Sequence, residues 1–206
     1  MIYKKFITFE GGEGSGKSTQ IKLLAKKIAE TSDVCLTREP GGTASAEEIR
    51  KLLVRGETDK WSSVSELLLL FAARKDHIDK LILPSLKSNK WVLCDRFVDS
   101  TYVYQGMCGK ISLDVIKKIE NIVIGQFKPQ LTFLININPK VGIQRSKRPG
   151  NKDLRYENMD MKFHNKVYKS YYKHASLNKR RIIMIDGSKT ILEIENQIWN
   201  KVKNKI

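Results

Sequence analysis

A glycine-rich segment near the start of the chain has the spacing of a phosphate-binding loop. Gly11–Ser18 reads G-G-E-G-S-G-K-S and satisfies the pattern G-x-x-x-x-G-K-[ST] in full. Glycines let the backbone wrap a phosphate chain, and a helix that starts there adds its positive dipole end. The alternative, a structural glycine turn, fits less well between a predicted strand and a predicted helix. The pattern therefore predicts nucleotide binding by nine consecutive residues: Gly11, Gly12, Glu13, Gly14, Ser15, Gly16, Lys17, Ser18 and Thr19.

Within this loop, two side chains have chemistry of their own. Lys17 would reach the β- and γ-phosphates, and the Ser18 hydroxyl would bind Mg²⁺. A second metal ligand is expected at Asp95, because the apolar strand Trp91–Cys94 ends there and ligands bind at the carboxyl ends of parallel strands. Arg96 follows and places a permanent cation where a second phosphate could bind. The alternative is a structural Asp-Arg ion pair.

Three further segments could form a second site. Arg38 lies in Thr37–Thr43 at a strand end, where its guanidinium could bind a phosphate beside a Pro-Gly-Gly turn. Phe71 and Arg74 are three residues apart and share a helix face, so a ring and a guanidinium could hold a base. The polar segment Asp99–Gly106 could contact the edge of that base. Each has an ordinary alternative: a structural loop, a core phenylalanine, or a polar turn.

Short apolar runs alternate with helical periods along the chain, which is the signature of an α/β fold with a parallel sheet. We predict one domain over residues 1–206, with a five-stranded parallel sheet and helices on both faces. A polar, basic segment from Ile143 to Tyr156 is predicted to be a mobile loop. The predicted strands are 3–9, 34–37, 91–94, 131–137 and 182–185; the predicted helices are 17–30, 46–54, 64–83 (stopping near Pro84), 112–125, 157–177 and 191–202.

Composition narrows the class of protein. The chain has 206 residues, of which 41% are hydrophobic and 29% charged, as in ordinary globular proteins. The longest apolar run, Leu67–Ala73, is far shorter than the ~20 residues of a membrane span. The start of the chain does not resemble a signal peptide. Three widely spaced cysteines exclude a disulfide framework, and three histidines show no metal-ligand spacing. These observations favour a reduced, cytoplasmic protein.

The net charge of +16 allows two interpretations. The scattered lysines fit a basic coding bias on solvated faces. Alternatively, a basic surface could bind a polyanion. The densest cationic stretch before the tail is Arg145–Lys152.

Taken together, the motifs resemble the thymidylate kinase family. The resemblance rests on the order and spacing of Gly11–Ser18, Thr37–Thr43, Phe71–Arg74, Asp95–Phe97 and Ser100–Gly106, and it extends over nearly the whole chain. It implies a P-loop nucleoside monophosphate kinase fold and the reaction ATP + dTMP → ADP + dTDP, a step toward dTTP. It also implies Mg²⁺, a cytoplasmic location, a homodimer, and no membrane or specific nucleic-acid partner.

The resemblance implies roles for the acceptor phosphate and sugar. Arg38 and Arg96 would clamp the dTMP phosphate with help from Arg50, and Arg96 would share catalysis with Lys17. Tyr104 would lie against the sugar and disfavour a ribose 2′-hydroxyl. The remaining residues implied around the phosphate and sugar are Glu13 near the 3′-hydroxyl and the metal, and Glu39 with Pro40, which would order the pocket.

For the base, the resemblance implies stacking on Phe71 and a hydrogen bond from Arg74 to O4 of thymine. Ser100, Thr101 and Gln105 would complete the base pocket. Phe97 and Thr101 depart slightly from the family's usual residues, and neither departure removes a charge.

The basic segment acquires a role through the same resemblance. Some members of the family carry an Arg inside the P-loop, and others carry the catalytic cations in a lid. Ser15 occupies the P-loop position here, which implies the bacterial-type arrangement. Arg148 and Arg155, in a lid at about 143–156, would then be catalytic.

Three alternatives stay open from the sequence. A regulatory GTPase would need an N-K-x-D motif, and Asn151–Leu154 matches it poorly and in the wrong context. A nucleic-acid-binding protein would use the basic charge. A kinase for another nucleoside monophosphate is the nearest alternative, since a thymine pocket also admits uracil.

Overall fold

The computed structural model describes residues 2–146 and 155–205. Five strands alternate with helices along the described chain. In order they are β1 (Ile2–Glu10), α1 (Lys17–Ile28), β2 (Val34–Arg38), α2 (Ala44–Val54), α3 (Ser63–His77), a π-helical turn (Ile78–Ile82), α4 (Leu83–Lys87), β3 (Trp91–Asp95), α5 (Val98–Thr101), a second π-helical turn (Tyr102–Met107), α6 (Leu113–Val123), β4 (Lys128–Asn136), α7 (Pro139–Ser146), α8 (Met161–Leu177), β5 (Ile182–Asp186), α9 (Ile191–Val202) and a 3₁₀ turn (Lys203–Lys205).

The strands form one parallel sheet in the order β2-β3-β1-β4-β5, which confirms the predicted fold class. The chain leaves the central strand β1 toward one edge and later returns to the other side with β4. All five strands end at the same edge, and ligands of such sheets bind where the direction of winding reverses. This edge carries the P-loop after β1, Arg38 at the end of β2 and Asp95 at the end of β3.

Alternating residues of the strands face opposite sides of the sheet. Ile7 and Phe9 pack with buried residues of α1 and α9, such as Leu24 and Ile198. Phe6 faces the other way and packs in a cluster with α3 and α6. Helices therefore cover both faces, which is why the strands are apolar almost throughout.

Side-chain caps fix the starts of several helices. Ser62 and Ser112 accept hydrogen bonds from backbone N–H groups at the starts of α3 and α6, and Thr190 forms a capping box with Glu193 at α9. These caps agree with the helix starts expected from the sequence to within about one residue.

Several predicted bounds were wrong. The helix predicted to stop near Pro84 continues through a π-helical turn to Lys87, and Pro84 lies in the first turn of α4, directly after the change of helix type. The prediction omitted the helical stretch 98–107 and helix α7. The segment predicted as a loop from Ile143 is helical as far as Ser146. In the described part of the chain, no helix combines the length and apolar character that a membrane crossing requires.

Candidate active site

The P-loop joins β1 to α1 and packs against α7. Gly14 has a φ of +64°, and a Cβ there would lie 1.9 Å from the carbonyl oxygen of Gly142. Gly142 is equally confined, since its own Cβ would lie 2.4 Å from the Glu13 carbonyl oxygen. Only glycine permits this approach. The contact holds helix α7 directly against the loop.

The side chain of Lys17 is folded over this loop. Its Nζ donates to the carbonyl oxygens of Gly11 and Gly12, at 3.1 and 3.0 Å. Burial lowers the pKa of Lys17, and the nearby Arg96 guanidinium lowers it further, against the attraction of Asp95. The ammonium therefore lies in the loop's concave side, where a phosphate would replace the two carbonyl oxygens as its partner.

Ser18 and Asp95 meet as the sequence predicts. The Ser18 Oγ donates to Asp95 Oδ2 at 3.0 Å. The other carboxylate oxygen, Asp95 Oδ1, is buried and has no hydrogen-bond partner in the described chain. Mg²⁺ is commonly held by one or two protein oxygens together with substrate phosphates. A hydroxyl, a carboxylate and an unsatisfied oxygen therefore fit this metal.

A wide groove of about 1230 Å³ runs along the P-loop. All of Glu13–Thr19 line it, whereas Gly11 and Gly12 do not, and their carbonyl oxygens accept from Lys17. The groove is also lined by the turn from Gly187 to Ile191, between β5 and α9, which the sequence analysis missed. That turn could have been found, since it follows the end of a predicted strand at the same edge of the sheet. Arg145, at the end of α7, also lines the groove.

A second cavity, of about 340 Å³, opens beside the groove. It is lined by every predicted substrate-binding residue except Phe71, namely Glu13, Arg38, Glu39, Pro40, Arg50, Arg74, Arg96, Ser100, Thr101, Tyr104 and Gln105. Glu13, Arg38, Glu39, Arg50 and Arg96 line the groove as well. The two spaces thus meet at a boundary that contains three arginines.

Arg96 is fixed at this boundary. Its backbone is left-handed, with φ of 67°, and its guanidinium bonds Glu13 Oε1 at 2.7 Å. It also donates to the hydroxyls of Ser100 and Tyr171. Burial alone would raise the pKa of Glu13, but Arg96 and Lys17 hold that pKa below its usual value. A charged, rigid guanidinium therefore faces both spaces.

Glu10 holds the turn that carries Arg96, and the sequence reading missed it. This carboxylate is buried at the end of β1 and accepts from the Phe97 N–H at 2.8 Å, from Ser100 and from Tyr171. Burial raises the pKa of Glu10 to about 7, and the charge of Asp99 acts in the same direction. An acidic residue at a strand end beside the P-loop was the available signal.

Arg74 reaches the cavity from α3. Its Nε donates to Glu39 Oε2 at 2.7 Å, and its Nη2 donates to Thr101 Oγ1 at 3.1 Å. The other oxygen of Glu39 faces His77 Nδ1 at 3.2 Å, which holds the carboxylate in place. The Arg74 Nη1 is buried without a hydrogen-bond partner in the described chain. It is a donor that a ligand in the cavity could satisfy.

The other predicted phosphate ligands, Arg38 and Arg50, also line the cavity. Arg38 pairs with Glu47 at 3.0 Å, and the Arg38 side chain is 54% exposed. Arg50 donates to the carbonyl oxygen of Pro40 at 3.0 Å, and the Glu39–Pro40 peptide bond is cis. Both arginines lie on the boundary between the two spaces.

Phe71 does not line the cavity. It is 1% exposed and packs in the core with Phe6 and Leu67, while the guanidinium of Arg74 lies 5.0 Å from its ring centroid. Leu70, one residue earlier, lines the cavity instead. One residue along a helix rotates the side chain by ~100°, so the spacing to Arg74 could not tell these two positions apart.

The three polar residues predicted near the base and sugar are brought together. Thr101 bonds Arg74, and the ring of Tyr104 lies 5.2 Å from the Arg96 guanidinium carbon. Gln105 donates through Nε2 to Glu66 Oε1 at 2.7 Å. Glu66 and Tyr156 are further neighbours that sequence reasoning missed, since they lie far apart in the chain.

Of the two predicted catalytic cations Arg148 and Arg155, the structure describes Arg155. Arg148 lies outside the described residues. Arg155 is 4% exposed and pairs with Glu66 at 2.6 Å, and it donates to the carbonyl oxygens of Leu53, Glu57 and Thr58. In this arrangement Arg155 supports the wall of the cavity and does not line the groove that holds the P-loop.

Comparison with known proteins identifies the family. The sequence model described as thymidylate kinase matches residues 9–198. The chain is 42% identical over 205 residues to a thymidylate kinase of Bradyrhizobium sp. strain ORS 278, covering 98% of this chain and 91% of the relative. It is 46% identical over 183 residues to one from Caulobacter vibrioides, covering 88% of each. The crystal structure of thymidylate kinase from Ehrlichia chaffeensis superposes with a TM-score of 0.77 at 36% identity, covering 96% of this chain and 97% of the other. The phosphate loop, the arginines at the boundary and the second cavity agree with these matches. The chain therefore belongs to the thymidylate kinase family, the P-loop enzymes that phosphorylate dTMP with ATP.

Proposed function

We propose that ATP binds along the P-loop groove, that dTMP binds in the adjoining cavity, and that the phosphoryl group passes between them at the arginine boundary. The observation that carries this assignment is the set of residues shared by both spaces, with Arg96 fixed among them. A phosphoryl acceptor must lie in line with the donor. The shared boundary is where two phosphate groups would approach each other.

The acceptor is itself an anion, so the reaction needs positioning and charge neutralisation more than a general base. Lys17 would bind the donor phosphates, and Arg38, Arg50 and Arg96 would bind the acceptor phosphate. Glu13 would hold the Arg96 guanidinium at the boundary. Each fixed cation offsets part of the repulsion between the two polyanions.

The cofactor in this assignment is Mg²⁺, held by Ser18 and Asp95. The unsatisfied Asp95 Oδ1 supports a cation there. The metal would neutralise charge on the donor phosphates. Ser18 and Asp95 also orient each other through their hydrogen bond, so the ligand positions are set in advance.

Arg74 would donate to O4 of thymine. Its Nε and Nη2 are occupied by Glu39 and Thr101, which leaves Nη1 for the base. Leu70 and Phe97 would supply apolar contact with the base in this assignment, in place of stacking on Phe71. The guanidinium also lies over the rings of Phe71 and Phe97, at 5.0 and 5.4 Å.

A steady-state assay of Arg74→Met with dTMP tests this assignment. We expect the KM for dTMP to rise about 10–100-fold, because a charged hydrogen bond is worth about 1.5–3 kcal/mol. The KM for ATP should stay within about twofold. The control is Lys75→Met, which removes a neighbouring cation whose partner is Asp79 on the surface. An equal rise in both KM values for Arg74→Met would contradict the proposed division of the site.

The basic segment at about 143–156 is proposed as a lid that supplies cations to the transfer, and its residues 147–154 lie outside the described residues. Arg145 supports this, since it lies at the end of α7 and lines the groove. Arg148 stays a proposed catalytic residue outside the described chain. Arg155, buried against Glu66, would support the wall of the acceptor cavity.

We propose that the chain acts as one domain and as a homodimer in the cytoplasm. Three free cysteines support a reducing compartment. Exposed apolar side chains on α3 and α6 support a dimer, among them Val64 and Leu68 at 53% and Ile122 at 83%. Leu68→Glu should convert a dimer to a monomer in sedimentation analysis. The matched change Glu48→Gln on α2 should leave the mass unchanged.

A further inference from the structure

Glu66 lies behind the proposed base pocket and holds one of its polar residues. Its Oε1 accepts from Gln105 Nε2 at 2.7 Å and from the Tyr156 hydroxyl at 3.1 Å. Its Oε2 pairs with Arg155 Nη1 at 2.6 Å. Glu66 itself does not line the cavity, whereas Gln105 and Tyr156 do. Any effect of Glu66 on a ligand therefore passes through its neighbours.

The carboxylate determines which way the Gln105 amide faces. A carboxylate only accepts hydrogen bonds, so the amide must turn its NH₂ group toward Glu66. The carbonyl oxygen, Gln105 Oε1, is then the atom that the amide can offer to a ligand in the cavity. Gln105 becomes an acceptor toward the ligand.

Arg74 supplies the complementary group. Arg74 lines the cavity, and its buried Nη1 has no hydrogen-bond partner in the described chain. The pocket thus combines a donor from Arg74 with an acceptor from Gln105. Thymine and uracil present O4 as an acceptor beside N3–H as a donor, which matches this pair. Cytosine presents an amino group and an unprotonated N3, which is the reverse pattern.

The Glu66 carboxylate is itself held on its other side. Arg155 is 4% exposed, and its guanidinium donates to the carbonyl oxygens of Leu53, Glu57 and Thr58. This guanidinium can only donate, so the atom of residue 66 that faces it must be an acceptor. Arg155 therefore fixes which atom of residue 66 faces it, and leaves the other for Gln105.

We infer that Glu66 is a specificity-determining positioning residue, which makes Gln105 an acceptor toward the base and so selects thymine and uracil against cytosine. The inference rests on the proposed position of the dTMP base. It deepens that assignment by giving the direction of the Gln105 amide and the reason for it.

The decisive variant is Glu66→Gln. Its amide oxygen must face Arg155, so its NH₂ group faces Gln105. The Gln105 amide then turns over to accept from residue 66 and offers its own NH₂ to the base. The acceptor in the pocket becomes a donor, which opposes N3–H of uracil and suits N3 of cytosine.

The measurement is the competitive inhibition of dTMP phosphorylation by dUMP and by dCMP. These two ligands differ at positions 3 and 4 of the ring and share the sugar and phosphate. We expect the ratio of the dCMP inhibition constant to the dUMP inhibition constant to fall at least tenfold in Glu66→Gln. The KM for ATP should stay within about twofold. A purely structural role for Glu66 would weaken dUMP and dCMP equally and leave the ratio unchanged, which would overturn the inference.

The same substitution in a Gln105→Met background tests whether the effect of Glu66 passes through Gln105. In Gln105→Met the amide is absent, so adding Glu66→Gln should not change the ratio further. An equal fall in that background would overturn the inference, because the effect would not pass through Gln105. The matched control is Glu48→Gln, an exposed carboxylate on α2, which should leave the ratio at the wild-type value.

The wild-type ratio distinguishes a failure of the proposed base position from a failure of the role of Glu66. A wild-type enzyme that binds dCMP as tightly as dUMP would contradict the proposed base position, and the inference with it. A wild-type preference for dUMP that persists unchanged in Glu66→Gln would overturn the role of Glu66 alone.

Discussion

The groove and the cavity are built in different ways. The phosphate-binding part of the groove comes from consecutive residues, Glu13–Thr19, at one turn between a strand and a helix. The cavity wall includes residues of β2, α2, α3, α5, the second π-helical turn and the turn at Tyr156, which are distant in the chain. The local sequence determines the geometry of such a motif, because backbone turns and a helix start are short-range features. A cavity assembled from distant elements depends on packing.

Among changes that distinguish the groove from the cavity, we expect the largest effect for Lys17→Ala. Lys17 lines the groove and not the cavity, so the change should lower kcat by about 10³-fold, as for other cations aimed at a transferring phosphoryl group. The dissociation constant for dTMP, measured by calorimetry, should stay within about twofold. Lys26→Ala, an exposed lysine on the same helix, is the control. Near wild-type turnover in Lys17→Ala would contradict the assignment of the groove.

Phe71→Ala should lower the stability of the fold and have little effect on dTMP binding. Phe71 is buried in the core, so its removal leaves a cavity and should lower the free energy of unfolding by about 3–5 kcal/mol. At a temperature where the variant is folded, its KM for dTMP should stay within a few-fold of wild type. Urea unfolding and steady-state kinetics give the two values. A large KM effect with unchanged stability would restore Phe71 as the residue that stacks on the base.

Leu70→Ala should show the reverse pattern. Leu70 lines the cavity and is half-buried, so truncation removes apolar contact with the base. The KM for dTMP should rise about tenfold, with a smaller loss of stability than in Phe71→Ala. An unchanged KM would place the base elsewhere in the cavity.

The last prediction concerns the pH dependence of stability and Glu10, which holds the turn that carries Arg96. Its pKa is raised from 4.5 to about 7 in the folded protein, so its contribution to stability is fully present below about pH 4.5 and is lost as pH rises through about 7. Glu10→Gln cannot titrate. Urea unfolding from pH 5 to 8 should therefore show wild type losing stability relative to Glu10→Gln, by at most about 1.4 kcal/mol per unit of pKa difference.

The groups that face Glu10 are Asp99, Arg96, Ser100, Tyr171 and the backbone N–H of Phe97, and they are the same in both proteins. Parallel stability curves for wild type and Glu10→Gln would contradict the raised pKa. Glu48→Gln should leave the pH dependence of wild type unchanged.

The prediction that Asp95 lies beside the P-loop was correct because the carboxyl ends of parallel strands lie at one edge of the sheet. Asp95 and Ser18 are 77 positions apart and meet at 3.0 Å, as the motif and the strand pattern together predict. The helical stretch 98–107 was missed because polar residues interrupt its apolar period. Helix α7 was missed because its position depends on the contact of Gly142 with the P-loop, which is a long-range contact.

The sequence alone determined the P-loop, the parallel α/β fold and the family, because these depend on short-range spacing and alternation. It also placed Arg38, Arg74 and Arg96 at one site. The packing of the folded chain determines that Leu70 and not Phe71 lines the cavity, that Arg155 supports the cavity wall, and that Glu66 lies behind Gln105. These choices depend on which elements pack together and on which buried donor meets which acceptor, and spacing along the chain does not contain that information.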